Sequence, residues 1–169
     1  LPVPQTDLTW RDCTSDTVAS YSLPSGPTGL SLECAEVPTP IDPSGAVPGT
    51  FPLAVLRAQL PDTPDDVAPL VLTTGSDMPS TRALAALATG PLSGVLTTRP
   101  VVAVDRRGIG MSLAIDCVFG ADRRALADLG QFGRSAPAPE RVAELGRQAT
   151  ISCTDYLQPQ ELMFSASHA

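Results

Sequence analysis

Pro100-Val-Val-Ala-Val-Asp-Arg-Arg-Gly-Ile-Gly-Met-Ser112, followed closely by Asp116-Cys117, decides how this chain is read. Val101 to Val104 is an unbroken run of small or β-branched apolar residues, the pattern of a strand buried on both faces. It stops at a charged turn punctuated by Gly108 and Gly110. Open α/β sheets place their chemistry where the carboxyl ends of parallel strands run into loops of this kind.

Working outward, Leu30 to Val37 alternates apolar and polar side chains at strand period, and Thr50 to Leu60 reads as a second strand after the Pro- and Gly-marked turn at 43–49. Ala68 to Thr74 is a third, almost wholly apolar strand. A helix is expected from Met78-Pro79-Ser80 to Ala88, with Ser76 or Asp77 to cap it and Gly90 past its end. Two Ala-, Leu- and Arg-rich helices follow, at about Asp122 to Leu129 and Ala138 to Leu157. In the second, Val142, Leu145, Ala149 and Cys153 recur at 3- and 4-residue steps and predict a buried stripe. Strands interleaved with helices indicate the α/β class. Residues 1–29 are rich in Pro, Ser, Thr and Asp and read as an irregular arm, with Trp10 covering a core edge.

Composition narrows the functional classes. The chain has 169 residues, 18 Pro, 13 Gly and a net charge of −7, with neither Lys nor Asn. An acidic surface is repelled by a phosphate backbone, so nucleic acid is not an expected partner. Without Asn there is no N-glycosylation acceptor. No apolar run approaches the roughly 18 residues of a spanning helix, and no signal-peptide pattern is present, so an exported form would begin after its cleavage point. Cys13, Cys34, Cys117 and Cys153 have no close pairs of the kind a zinc site uses, and they allow three disulfide connectivities or four free thiols. The acidic loop Asp62-Thr-Pro-Asp-Asp66 lacks the alternation, central Gly and distal Glu of a calcium loop.

Asp105-Arg-Arg-Gly-Ile-Gly-Met-Ser112 resembles the turn after the fourth strand of α/β-hydrolases, which reads roughly Asp-x-Arg-Gly-x-Gly-x-Ser. Trp10-Arg-Asp-Cys13, Leu32-Glu-Cys34-Ala-Glu-Val-Pro38, Gly49 to Arg57, Ala68-Pro-Leu-Val-Leu-Thr-Thr-Gly75 and Asp116-Cys117 stand around it in order. Together they are most similar to the secreted actinobacterial branch of that family, the tripeptidyl-aminopeptidase and proline-iminopeptidase-like hydrolases. The resemblance implies the amino-terminal half of an α/β-hydrolase sheet, strands one to four plus flanking helices. Residues 1–29 would be a cysteine-stapled arm and 30–169 part of the core domain. It implies the disulfides Cys13–Cys34 and Cys117–Cys153, an extracytoplasmic location, a peptide or ester substrate and no cofactor or metal.

On this fold the catalytic Ser, acid and His follow the fourth strand in that order, so the resemblance puts all of them after residue 169, in a second polypeptide carrying the carboxyl-terminal half. No catalytic residue is expected in this chain, and His168 has no acid or nucleophile in a motif that could use it. The third strand would lie between the fourth and a fifth, leaving Leu70-Val-Leu72 an open edge until that half docks. Gly75 and Ser76 stand where relatives carry an oxyanion loop whose backbone N–H groups stabilise developing charge. Here only Gly75 keeps the pattern, and Asp77 brings negative charge towards that position. This departure favours an alternative, a catalytically degenerate hydrolase-fold protein that binds or serves the cell envelope. Gly110-Met-Ser112-Leu-Ala114 nearly spells a nucleophile elbow, but an elbow follows a strand and opens a helix, whereas a turn precedes Ser112. Asp105, Arg107, Gly108, Gly110 and Ser112 are instead expected to fix the loop, Ser112 by bonding backbone groups and Asp105 by pairing with Arg107.

Overall fold

The computed structural model describes residues 8–45, 48–64, 66–75, 78–91, 93–114, 117–118, 120–128 and 139–156, which fall into two units, 1–114 and 115–169. The first unit holds β1 (Arg11–Asp12), α1 (Thr14–Ser20), β2 (Ser31–Pro40), β3 (Thr50–Gln59), β4 (Leu70–Leu72), α2 (Ser80–Ala88), α3 (Ser93–Leu96) and β5 (Val101–Val104). Its strands form one mixed sheet in the order β1-β2-β3-β5-β4. All neighbours are antiparallel except β4 and β5, which run parallel and are joined by the crossover through α2 and α3.

Period-2 alternation sorts the sheet residues into two faces. Leu32 and Cys34 of β2, Leu56 and Ala58 of β3, and Val101 and Ala103 of β5 are buried together on one face, against Leu84, Ala85 and Ala88 of α2 and Leu96 of α3. The other face is mixed. There Arg57 pairs with Glu33, at 2.7 Å between Nη2 and Oε2, and lies 4.3 Å from the centre of the Trp10 ring. Trp10 therefore secures the arm by stacking on a guanidinium. Val102 and Val104 share this face and are only half-buried, so the 101–104 strand is buried fully on one face and not on both.

Backbone bonding fixes which edge each residue serves. The N–H and C=O of Ala54 both point towards β5, so its β2 partner Glu36 faces the outer edge of β2, as do Pro38 and Pro40 two and four residues on. Leu32, of the same parity, confirms the direction, because its carbonyl accepts from Cys13 N–H and its N–H donates to Thr14 Oγ1. The prolines thus sit where the missing donor costs the β2–β3 ladder nothing.

Residues 8–29 are more regular than composition suggested. β1 pairs with Cys34 and Glu33 of β2, and α1 follows directly. The helix was hidden because it buries Thr17 in place of an aliphatic stripe, leaving no 3.6-residue apolar period to read. Asp12 starts it by accepting the N–H and hydroxyl of Thr14, at 2.9 and 2.8 Å, and the Thr14 N–H holds the Asp12 carboxyl below its ordinary range. The Cys13–Cys34 disulfide then ties the start of α1 to β2.

The second unit contains α4 (Gly120–Asp128) and α5 (Pro139–Tyr156), which pack on one another. The Cys117–Cys153 disulfide ties the segment before α4 to α5. Of the stripe expected on α5, Leu145 is buried and Ala149 and Cys153 are half-buried, but Val142 is 42% exposed. Val142 lies in the first turn of the helix, where the stripe runs out. Among the described residues no helix is long and apolar enough to cross a membrane. The two disulfides are of a kind that persists in oxidising compartments.

The Cys13–Cys34 loop closes over a separation of 21 residues, for which chain entropy gives about 3 kcal/mol. Replacing both cysteines by Ala is expected to lower the unfolding free energy by that order, read as a lower urea midpoint. An unchanged midpoint would show that the Asp12 cap and the Trp10–Arg57 stack hold the arm unaided.

The Asp12 carboxylate is stabilised in its charged form, so its support of α1 is complete above the ordinary carboxylate range and is lost as pH falls through the depressed folded value. The protection factor of the Thr14 amide, its exchange rate divided into the intrinsic rate at the same pH, is expected to fall as pH drops through that acid range in the native protein and to be insensitive to it in Asp12→Ala.

Candidate functional site

The carboxyl ends of the two parallel strands bring their following loops side by side. From β4 the chain runs through Thr74 and Gly75 to Pro79 and α2, and from β5 it runs into the turn at 105–113. Thr74 Oγ1 donates to the Met78 carbonyl at 2.6 Å, closing the first loop on itself. Arg106 Nη2 donates to the Gly75 carbonyl at 3.0 Å, tying the second loop to the first. Ser76 and Asp77, expected in the oxyanion loop and as helix cap, lie outside the described residues, as does Asp116.

Asp105 is fully buried and is the centre of the second loop. Its Oδ1 accepts the Thr81 N–H at 2.9 Å, and its Oδ2 accepts the Thr81 hydroxyl at 2.7 Å and the Met111 N–H at 2.9 Å. Thr81 is the second residue of α2, so a carboxylate from another element supplies the cap that Pro79 cannot. Charge-assisted bonds to a fixed carboxylate are the stronger kind, and three of them hold the loop, the helix start and the end of β5 in one geometry.

Ser112 completes this arrangement from the other side. Val55 pairs with Val104, so the next rung of the β3–β5 ladder would join Ala54 to Asp105. Asp105 N–H still donates to the Ala54 carbonyl at 3.0 Å, but in the reverse direction the Ser112 hydroxyl is inserted. Its Oγ accepts the Ala54 N–H at 2.8 Å and donates to the Asp105 carbonyl at 3.0 Å. Ser112 is also fully buried. With both hydrogen-bonding functions taken and no access to solvent, its hydroxyl is a structural bridge and has no freedom to act as a nucleophile.

Arg107 differs from expectation. It makes no pair with Asp105 and instead donates from Nη1 to the Ile41 carbonyl at 2.6 Å and from Nη2 to the Pro40 carbonyl, with its guanidinium 5.8 Å from the Phe51 ring centre. The reason is directional. Asp105 points inward to α2, whereas the arginine two residues on reaches the end of the β2–β3 hairpin. Gly108 and Gly110 have φ of +73° and +56°, and a Cβ on Gly110 would meet Asp105 Oδ2 at 2.2 Å. Glycine is therefore required twice at position 110, for its backbone angle and for the approach of the carboxylate.

Arg106 and Thr81 were not singled out from the sequence. Thr81 carries no local motif, because its partner lies 24 residues away, and Arg106 is indistinguishable by type from Arg107 beside it. Among the described residues no three His, Cys, Asp or Glu side chains are grouped to hold a metal.

Asp105→Asn is expected to cost on the order of 3 kcal/mol, since the amide must present N–H to a donor on whichever side it turns. Gly110→Ala should cost at least as much, through φ and the carboxylate contact. Urea unfolding checks both, and a near-wild-type midpoint for either would refute this account of the loop.

No family model matches the chain, and no curated protein matches it in sequence.

Proposed function

We propose that the chain is the amino-terminal portion of a secreted serine hydrolase, a peptidase of the aminopeptidase kind or an esterase, whose nucleophile, acid and His lie in a carboxyl-terminal half beyond residue 169. The observation that carries this reading is the strand order. β2, β3, β5 and β4 stand in the sequence that the resemblance requires of strands one, two, four and three, and β4 is the outermost strand. Leu70 and Val71 of that strand are 43% and 68% exposed. A bare apolar edge is an aggregation template, and a further parallel strand docking beside β4 removes it. That docking carries the triad to the carboxyl ends of β4 and β5, where Gly75 offers backbone to the oxyanion loop. The burial of Ser112 and the full use of Asp105 support the same division of labour, in which this chain supplies the frame and its partner half the reacting groups.

A fluorophosphonate probe tests the reading on the protein expressed from its whole gene. Labelling of a serine after residue 169, with none on Ser112, is the expected result. Labelling of Ser112 overturns the reading, and an intact protein that takes no label favours the degenerate, binding form. Size-exclusion chromatography with light scattering tests the partner: the 169-residue chain expressed alone should self-associate, whereas a monomer with a cooperative melt would show that it needs no second half.

A further inference from the structure

A cavity of about 290 Å³ opens between α1 and the turn after β5, with Arg11, Asp16, Thr17, Ser20, Tyr21 and Met111 among its lining. Thr17 is 1% exposed, and its Oγ1 is a buried side-chain oxygen with no hydrogen-bond partner among the described residues. At that accessibility no water-sized group touches the oxygen, so it lies behind the cavity wall. The Tyr21 hydroxyl is already engaged, 3.2 Å from Thr81 Oγ1, and through Thr81 joins the Asp105 cluster, so this wall is rigid. Arg11 and Asp16 are exposed on the rim, carry opposite charges, and neither is in an ion pair among the described residues. Met111, 39% exposed, adds an apolar wall.

We propose that this cavity binds a small zwitterion, of the size of a free α-amino acid with an apolar side chain. Its carboxylate meets Arg11 and its ammonium meets Asp16. The charges choose the class. A simple anion would be opposed by Asp16 and a simple cation by Arg11, and a neutral sugar would use neither. A zwitterion uses both, each through a charge-assisted hydrogen bond. The volume stands at the low end of pockets that take small molecules, roughly 300–1,000 Å³, which suits a single amino acid better than a long peptide. The proposal is independent of the hydrolase reading, since every residue it uses lies in the first unit and none is in the proposed catalytic machinery.

The test is a titration of protein expressed from its whole gene and labelled at the methionine methyls, with the Met111 signal assigned through Met111→Leu. The probes are L-leucine, 3-methylbutylamine and 4-methylpentanoate, which share one apolar group and carry both charges, the positive alone or the negative alone. L-leucine is expected to shift Met111 saturably and to bind more tightly than either single-charge probe. Arg11→Gln should weaken leucine and 4-methylpentanoate roughly three- to tenfold and leave the amine unaffected, and Asp16→Asn should do the reverse. Both substitutions are on exposed rim positions, so the fold is retained. An unmoved Met111 signal means that water alone fills the cavity and overturns the proposal, as do equal shifts from all three probes that neither rim variant changes.

Discussion

Where β5 parts from β3, one serine hydroxyl stands in for a missing rung, and the geometry of the first unit follows from it. An antiparallel pair that splays leaves a donor and an acceptor without partners, and in a buried place neither can turn to water. Ser112 answers both with one oxygen, between Ala54 N–H and the Asp105 carbonyl. The backbone is thereby held where the Asp105 side chain faces inward, on to the first turn of α2. The crossover helix, the end of the parallel strand and the hairpin reached by Arg107 are consequently registered to one another through a single turn.

Much of this frame was legible in the sequence because it rests on local chemistry. The strands at 31–40, 50–59 and 101–104 and the helices at 80–88, 120–128 and 139–156 lie within a few residues of where period and punctuation placed them. Gly108 and Gly110 marked the turn for the reason they are needed there, positive φ. What the sequence concealed rests on contacts distant in the chain. The cap of α2 comes from Asp105, the direction of Arg107 is set by where the hairpin ends, and α1 buries a threonine that no hydrophobic period announces. Ser112 shows the limit most clearly. Its spelling resembles a catalytic elbow, and only the preceding turn and the two backbone partners give it another role.

The chain has only seven aromatic residues with which to build a core, one Trp, two Tyr and four Phe, and the consequence is visible in how each unit is closed. Alanines at 58, 85, 88 and 103 let α2 lie close on the sheet but bury little area each. Each unit has one disulfide, at the point where a short or largely polar helix joins the rest. Covalent closure of this kind is the common remedy where apolar burial is modest.

The two margins of the sheet are unequal. On the β2 side the outer strand is two residues long, and beyond it Pro38 and Pro40 offer no N–H to an incoming chain. On the β4 side Leu70 to Leu72 carries no such obstacle. Two copies meeting at β4 about a twofold axis would use up both apolar margins and present outward the short β1 and the part of β2 interrupted by Pro38 and Pro40. Edge pairing of this sheet with itself therefore favours a closed pair over continued strand addition, because the margins left outward are a two-residue strand and a stretch interrupted by Pro38 and Pro40.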